Sequence, residues 1–205
     1  MRGHFITLEG MDGAGKSTLL NVITAWHATH KIAYHITREP GGTPLGETLR
    51  TLLLHEDMDL NTEALLMFAA RQQHINQIIR PKLAQGISVI CDRFTDASFA
   101  YQSGGRGLAW EKVQTLADWV HADLQPDWTI FLDVPVALSQ ARLAQRPLDR
   151  FEQENSAFFE RVRAAYQQRI AQQPTRFCVI DASQDLPTVQ HHVEAALEHY
   201  WAKHA

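Results

Sequence analysis

Residues 3–20 read GHFITLEGMDGAGKSTLL. An apolar run from Phe5 to Leu8 stops at a glycine cluster, and apolar residues at helical spacing (Leu19, Leu20, Val22, Ile23) follow at once. The turn between them, GMDGAGKS, fits G-x-x-x-x-G-K-S with Gly10, Gly15, Lys16 and Ser17. Glycines at these places let backbone N–H groups curl around phosphate oxygens while the following helix presents its positive end. Lys16 is then placed to span the outer phosphates of a nucleotide, and the Ser17 hydroxyl to complete a magnesium shell. The other reading, a glycine turn with a solvent-facing lysine, leaves the strand before and the helix after unexplained. The expected ligand is a nucleoside triphosphate with Mg2+, held by Gly10, Met11, Asp12, Gly13, Ala14, Gly15, Lys16, Ser17 and Thr18.

Outward from the loop, strand and helix patterns alternate. A short extended run, Tyr34 to Thr37, leads into REPGGTPLG, read as irregular because Pro40, Gly41, Gly42 and Pro44 crowd it. Residues Asn61 to Gln85 carry a long helical pattern with a disturbance expected at Pro81. GISVICDRF reads as a buried strand, SGGRG (103–107) as a glycine-rich break, and a helix of about a dozen residues is expected from Ala109. DWTIFLDVP and RFCVIDA supply a fourth and a fifth strand. Continuous apolar strands alternating with helices predict an α/β fold, a parallel sheet covered on both faces. Ligands of such sheets sit beyond the carboxyl ends of the strands, where Gly10, Arg38, Asp92, Asp133 and Asp181 fall.

The chain has 205 residues, enough for one full core and short for two. Its 23 acidic against 19 basic residues give a formal charge of −4, so no overall positive field gathers a nucleic-acid polymer, and anions must be held by local clusters. Cys91 and Cys178 lie in apolar stretches and read as buried apolar side chains, with no spacing that suggests zinc. Apolar runs are only strand length, which argues against a membrane span or a secretory signal and for the cytoplasm. His4, His74 and the pair His191, His192 share no constellation.

Asp92, at the end of ISVIC, suits a carboxylate beside the magnesium hydration shell; a helix cap or a partner for the loop lysine is the other reading. Proteins with this loop split water, switch, move or transfer phosphoryl groups. A second anion site favours transfer, and Arg38, Arg50, Arg71 and Arg93 offer one, because a planar guanidinium grips a monophosphate in bidentate fashion.

The stretches LEGMDGAGKST, TREPGGTPLGETLR, MFAARQQH, DRFTDASFAYQSGGRG, IFLDV and LDRFE with FFERVRAAY, in this order and spacing, resemble bacterial thymidylate kinase over nearly the whole chain. The resemblance implies a P-loop nucleoside monophosphate kinase fold: a five-stranded parallel sheet flanked by helices, one domain over 1–205, and a short lid over roughly residues 141–152. It implies phosphorylation of dTMP to dTDP with ATP and Mg2+, toward dTTP, by a homodimer. By the same resemblance Arg93 positions the acceptor phosphate, with Arg50 as its partner and Arg38 nearby. Phe68 stacks on thymine and Arg71 reads its edge; Ser98 and Gln102 contact the rest of the base and its surroundings. Asp12 lies close to the sugar 3′-hydroxyl, and Glu39 and Pro40 shape the wall.

The phosphate loop carries no basic residue in MDGA, so the lid is expected to supply the charge through Arg142, Arg146 and Arg150, as in the relatives with a basic lid. Two departures stand out: Pro147 in a lid that reads as a residue short, and Ser103 where a glycine is usual. No general base is needed, since the acceptor is already an anion. The competing readings are another nucleoside monophosphate or deoxynucleoside kinase, and a P-loop ATP-binding regulatory protein.

Overall fold

In the structure, a computed structural model describing residues 2–144 and 149–204, the chain builds one parallel sheet. Its strands are β1 (Phe5–Gly10), β2 (Tyr34–Arg38), β3 (Ser88–Asp92), β4 (Trp128–Asp133) and β5 (Phe177–Asp181), in the order β2-β3-β1-β4-β5. The central strand is buried along its whole length because both of its faces are covered, which is why it reads as a continuous apolar run. Ile6 and Leu8 face one layer of the core with Ile90, Ile130 and Leu132, while Phe5 faces the other with Val89 and Cys91. Cys91 and Cys178 are free thiols on β3 and β5. No helix among the described residues is long and apolar enough to cross a membrane.

Helices α1 (Lys16–Thr29), α2 (Pro44–His55), α3 (Leu60–His74), α4 (Arg80–Ala84), α5 (Thr95–Ser98), α6 (Trp110–His121), α7 (Val136–Leu143), α8 (Ser156–Gln172) and α9 (Leu186–Ala202) complete the described fold. Several begin where a side chain accepts from the first turn: Thr43 for α2, Asp59 for α3, Asn155 for α8 and Asp185 for α9. The Thr43 cap and Pro44 shorten the irregular stretch expected over REPGGTPLG, since helix α2 begins inside it.

The long helical pattern is disturbed earlier than expected. Ile75–Ile79 form a π-helical turn, with the Arg80 N–H bonded to the Ile75 carbonyl, before Pro81 enters the first turn of α4. The wider turn avoids the clash a proline ring makes with the carbonyl four residues back.

The glycine-rich break expected at 103–107 is instead mostly helical, as Phe99–Gly105 form a second π turn. Its glycines serve packing: a Cβ on Gly104 would lie 2.5 Å from the Ala165 Cβ and 2.8 Å from the Arg161 carbonyl oxygen, and one on Gly105 would collide with the Phe158 ring. This segment therefore lies flush on α8.

Chain order places the phosphate loop. From β1 the chain passes to β2 on the far side of β3 and only later to β4, so the carboxyl end of β1 lies at the change of direction where such sheets hold ligands. Register brings Leu8, Asp92 and Arg38 level across three strands.

Candidate active site

A cleft of about 560 Å³ opens over these strand ends, walled by the phosphate loop, α2, α3 and residues after β3. Gly15 caps α1 at φ 95°, a left-handed backbone that favours glycine, and a Cβ there would meet only open space. The N–H groups of Gly13 and Gly15 make no bond among the described residues, and the first turn of α1 adds its own free donors. Met11 and Ala14 bury their side chains, so their contribution is backbone. The Ala14 N–H is already bonded to the Met11 carbonyl.

Lys16 folds back over the loop, its Nζ donating to the Gly10 and Met11 carbonyls at 3.1 Å each. Burial and then the Arg93 charge lower its pKa. Ser17 and Thr18 line the cleft beside it. Asp92, which lines the same cleft as Ser17, carries a buried Oδ1 with no hydrogen-bond partner among the described residues. A carboxylate and a serine hydroxyl in one cleft suit magnesium, which takes one or two carboxylates and fills its shell with phosphate oxygens and water. No group of three or more His, Cys, Asp or Glu that could hold a metal occurs among the described residues.

Arg93, Asp12 and Tyr101 form a triad. Arg93 Nη2 donates to Asp12 Oδ1 at 2.5 Å and to the Tyr101 hydroxyl at 2.9 Å, Tyr101 donates to Asp12 Oδ2 at 2.7 Å, and the guanidinium lies 4.5 Å from the Tyr101 ring centroid. Burial by itself would raise the Asp12 carboxyl, yet Arg93 and Lys16 outweigh it and hold the group well below the usual range. Arg93 Nε and Nη1 remain without a partner among the described residues. Arg50, anchored to the Pro40 carbonyl at 3.0 Å, has its pKa lowered by burial and by Arg38 and Arg93. Arg38 pairs with Glu47 at 2.8 Å. Arg38, Arg50 and Arg93 thus line one cleft, a clustering of guanidinium groups that suits an anion.

Farther along the cleft, Arg71 is buried, donating to Glu39 at 2.6 Å, to the Phe94 carbonyl at 3.2 Å and to Ser98 at 3.0 Å. Glu39 also accepts from His74. Gln102 donates to Glu63 at 2.9 Å. Leu54, Met67 and Phe151 add apolar surface.

The structure distributes the expected site residues unevenly. Phe68, which its helical apolar series alone reads as core and the family resemblance reads as the ring on thymine, is 2% exposed in a cluster with Ala64, Phe99 and Leu108, and the Arg71 guanidinium lies 4.5 Å from its ring centroid. Met67, one position earlier, lines the wall; a helix turns about 100° per residue, enough to separate a wall position from a core one. Arg150 donates to Glu63 at 2.6 Å and to the Leu53 carbonyl at 3.1 Å, and so ties its own segment to α2 and α3. Arg142 does reach the loop, donating to the Gly13 and Ala182 carbonyls. Arg146 and Pro147 lie outside the described residues.

Ser103 donates to the Leu108 carbonyl at 2.7 Å, fixing the π turn rather than facing a base. Asp133 is clamped by Arg163 through two bonds of 2.7 and 2.9 Å, and Asp181 caps Ser183, so these two strand ends serve helix and turn. Tyr101 and Glu63 went unread in the sequence because their partners lie 89 and 39 positions away, on Asp12 and Gln102, with no local pattern to mark them.

Beside the loop a second hollow of about 250 Å³ is lined by Ala14, Leu19, Leu186 and Val189 under Arg142. Its apolar walls and single cation suit a flat heteroaromatic ring.

Comparison with known proteins places the chain in one family. A family model described as thymidylate kinase matches residues 8–193. The chain is 57% identical to a thymidylate kinase of Methylobacillus flagellatus over 194 residues, 94% of this chain and 96% of the relative. It is 56% identical to one of Cupriavidus pinatubonensis over 95% of this chain and 97% of the relative, and 51% identical to one of Neisseria meningitidis serogroup B over 97% and 98%.

Proposed function

The chain belongs to the thymidylate kinase family, and from that premise we propose how its residues divide the work of phosphorylating dTMP to dTDP with ATP. One observation carries the reading: Lys16, Arg38, Arg50 and Arg93 converge on a single cleft that continues into a pocket of Met67, Arg71, Ser98 and Gln102. The phosphate loop and Lys16 hold the donor phosphates, with adenine in the apolar hollow under Arg142. Arg93, Arg50 and Arg38 hold the acceptor monophosphate in line, the base lies along Met67 beside Arg71 and Gln102, and Asp12 faces the sugar.

Transfer then needs no base, because the attacking oxygen is already anionic. Arg93 neutralises charge on the equatorial oxygens, and Lys16 follows the moving phosphoryl group. Asp92 and Ser17 would hold Mg2+, which when bound would supply positive charge to neutralise the donor phosphates. Residues 141–152 act as the lid of a single catalytic domain and exclude water from the reacting phosphates. Dependence on ATP argues for work in the cytoplasm.

Steady-state ADP production from Mg-ATP with dTMP, dUMP, UMP and thymidine offered separately tests the assignment. Strong selectivity for dTMP is expected; turnover of thymidine alone overturns the monophosphate site.

We also propose a homodimer. Leu52 on α2, Leu65 on α3 and Trp119 on α6 are 40%, 53% and 80% exposed, an apolar excess on helices that pack on one another. Sedimentation is expected to show a dimer that Trp119→Glu weakens, and a monomer at every working concentration removes the proposal.

A further inference from the structure

We propose that Glu9 is a positioning residue for phosphoryl transfer, holding the backbone turn that aims Arg93 into the cleft. It lies one residue before the phosphate loop, wholly buried, and forms no part of the cleft wall. Its Oε1 accepts the Phe94 N–H at 2.7 Å, and its Oε2 accepts the Tyr166 hydroxyl of α8 at 2.7 Å. The object it holds is unusual. Arg93 has φ 67°, and the only other non-glycine residue with positive φ among the described residues is Lys31.

An L side chain enters the left-handed region against a steric cost, so a residue kept there needs its neighbouring peptides fixed. Two adjacent residues of β1 do this. The Leu8 carbonyl accepts the Arg93 N–H at 2.9 Å, and Glu9 accepts the next N–H along, that of Phe94. The Arg93 carbonyl is held as well, by the Cys91 thiol at 3.0 Å.

Phe94 is fully buried, so without Glu9 its N–H is left with no acceptor and no water. The turn then gains by relaxing toward an ordinary φ. That rotation would carry the guanidinium off Asp12 and Tyr101, and off the phosphate it addresses. Glu9 thus ties the loop strand, the Arg93 turn and α8 through one carboxyl group, and its effect on rate runs through Arg93.

The inference rests on Arg93 acting at the acceptor phosphate, and a double-mutant cycle separates the two claims. Glu9→Leu is expected to lower kcat by at least tenfold with KM for ATP changed less than twofold. In an Arg93→Ala background the same substitution is expected to cost less than twofold more. Glu9→Gln, which keeps an acceptor for Phe94 and the same shape, is expected to hold kcat within threefold of the wild type.

An equal fold-loss in both backgrounds, or a loss that tracks melting temperature across the variants, makes Glu9 a core residue only and overturns the proposal. So does a wild-type kcat for Glu9→Leu. Should Glu9→Leu fail to fold, Glu9→Asp, which draws the acid back by about 1.5 Å, replaces it in the same cycle. If Arg93→Ala alone leaves kcat unchanged, it is the acceptor-site assignment that has failed.

Discussion

Arg93→Ala is expected to lower kcat for dTMP phosphorylation by about 10²- to 10³-fold, the range seen when one preorganised donor to developing charge is removed, or about 2.7–4 kcal/mol of transition-state stabilisation. A large effect is expected because Arg93 is already fixed before substrate arrives: Asp12 and Tyr101 take its Nη2, and in the proposed assignment Nε and Nη1 are left to the acceptor phosphate. Fixing the cation in advance removes reorganisation from the reaction step. KM for ATP should hardly move, since the proposed assignment gives the donor to the loop and Lys16. Arg93→Lys, with the charge but not the planar fork, should recover only part of the rate. A kcat within threefold of the wild type for Arg93→Ala, in protein that still binds ATP, removes Arg93 from the chemistry.

The same triad marks where sequence stops being informative. The phosphate loop could be read because it works through backbone, and a contiguous run of glycines, lysine and serine after a buried strand has little else to be. Strand ends could be read because buried parallel strands are continuous apolar runs that stop at charge. What could not be read depends on side-chain direction or on distant partners. Phe68 sits in a helical apolar series that by itself reads as core, and its ring is buried there, whereas nothing in that spacing marks Met67, one step earlier, as cleft wall. Arg150 resembles any lid arginine until Glu63, 87 positions away, takes it. Gly104 and Gly105 look like a break because glycine usually is one, whereas here the absent side chains let one helical turn lie against another. Glu9 sits in an apolar strand, and nothing local tells a buried acid that anchors a turn from one that fills space.

Asp96→Ala is expected to be the most damaging change to stability, at about 3–5 kcal/mol, because it leaves two buried guanidinium groups without their counter-ion. Asp96 is 0% exposed; its carboxylate accepts from Arg169 at 2.8 Å and from Arg176 at 2.8 and 2.9 Å, and Arg176 continues to Thr129 at 2.6 Å. The loss is a large part of the roughly 5–15 kcal/mol that stabilises a domain. It should lower Tm by about 6–20 °C for a chain of this size. A Tm within 2 °C of the wild type would mean that the two arginines find other partners.

The isosteric Asp96→Asn reads the charge alone, and here pH separates two acids that respond in opposite senses. Burial raises the Asp96 pKa, but Arg176 and Arg169 outweigh it and the carboxyl titrates below its ordinary value, so its contribution is present at neutral pH and is lost in acid. Burial, then the Asp96 charge, push Glu9 up to about 8. The folded state thus binds a proton at Glu9 that the unfolded chain has released above its ordinary carboxylate pKa, and stability from this group falls as pH rises from about 4.5 to 8. Removing the Asp96 charge lets Glu9 ionise more easily. Asp96→Asn should therefore be less stable than wild type throughout, yet lose less stability between pH 5 and pH 8 in urea titrations. His4, His27, His35 and His121, all lowered chiefly by burial, titrate in both proteins, so the difference between the two slopes reports the acid pair. Equal slopes would show that Glu9 does not feel Asp96, and a steeper slope in the variant would reverse the sign of their coupling.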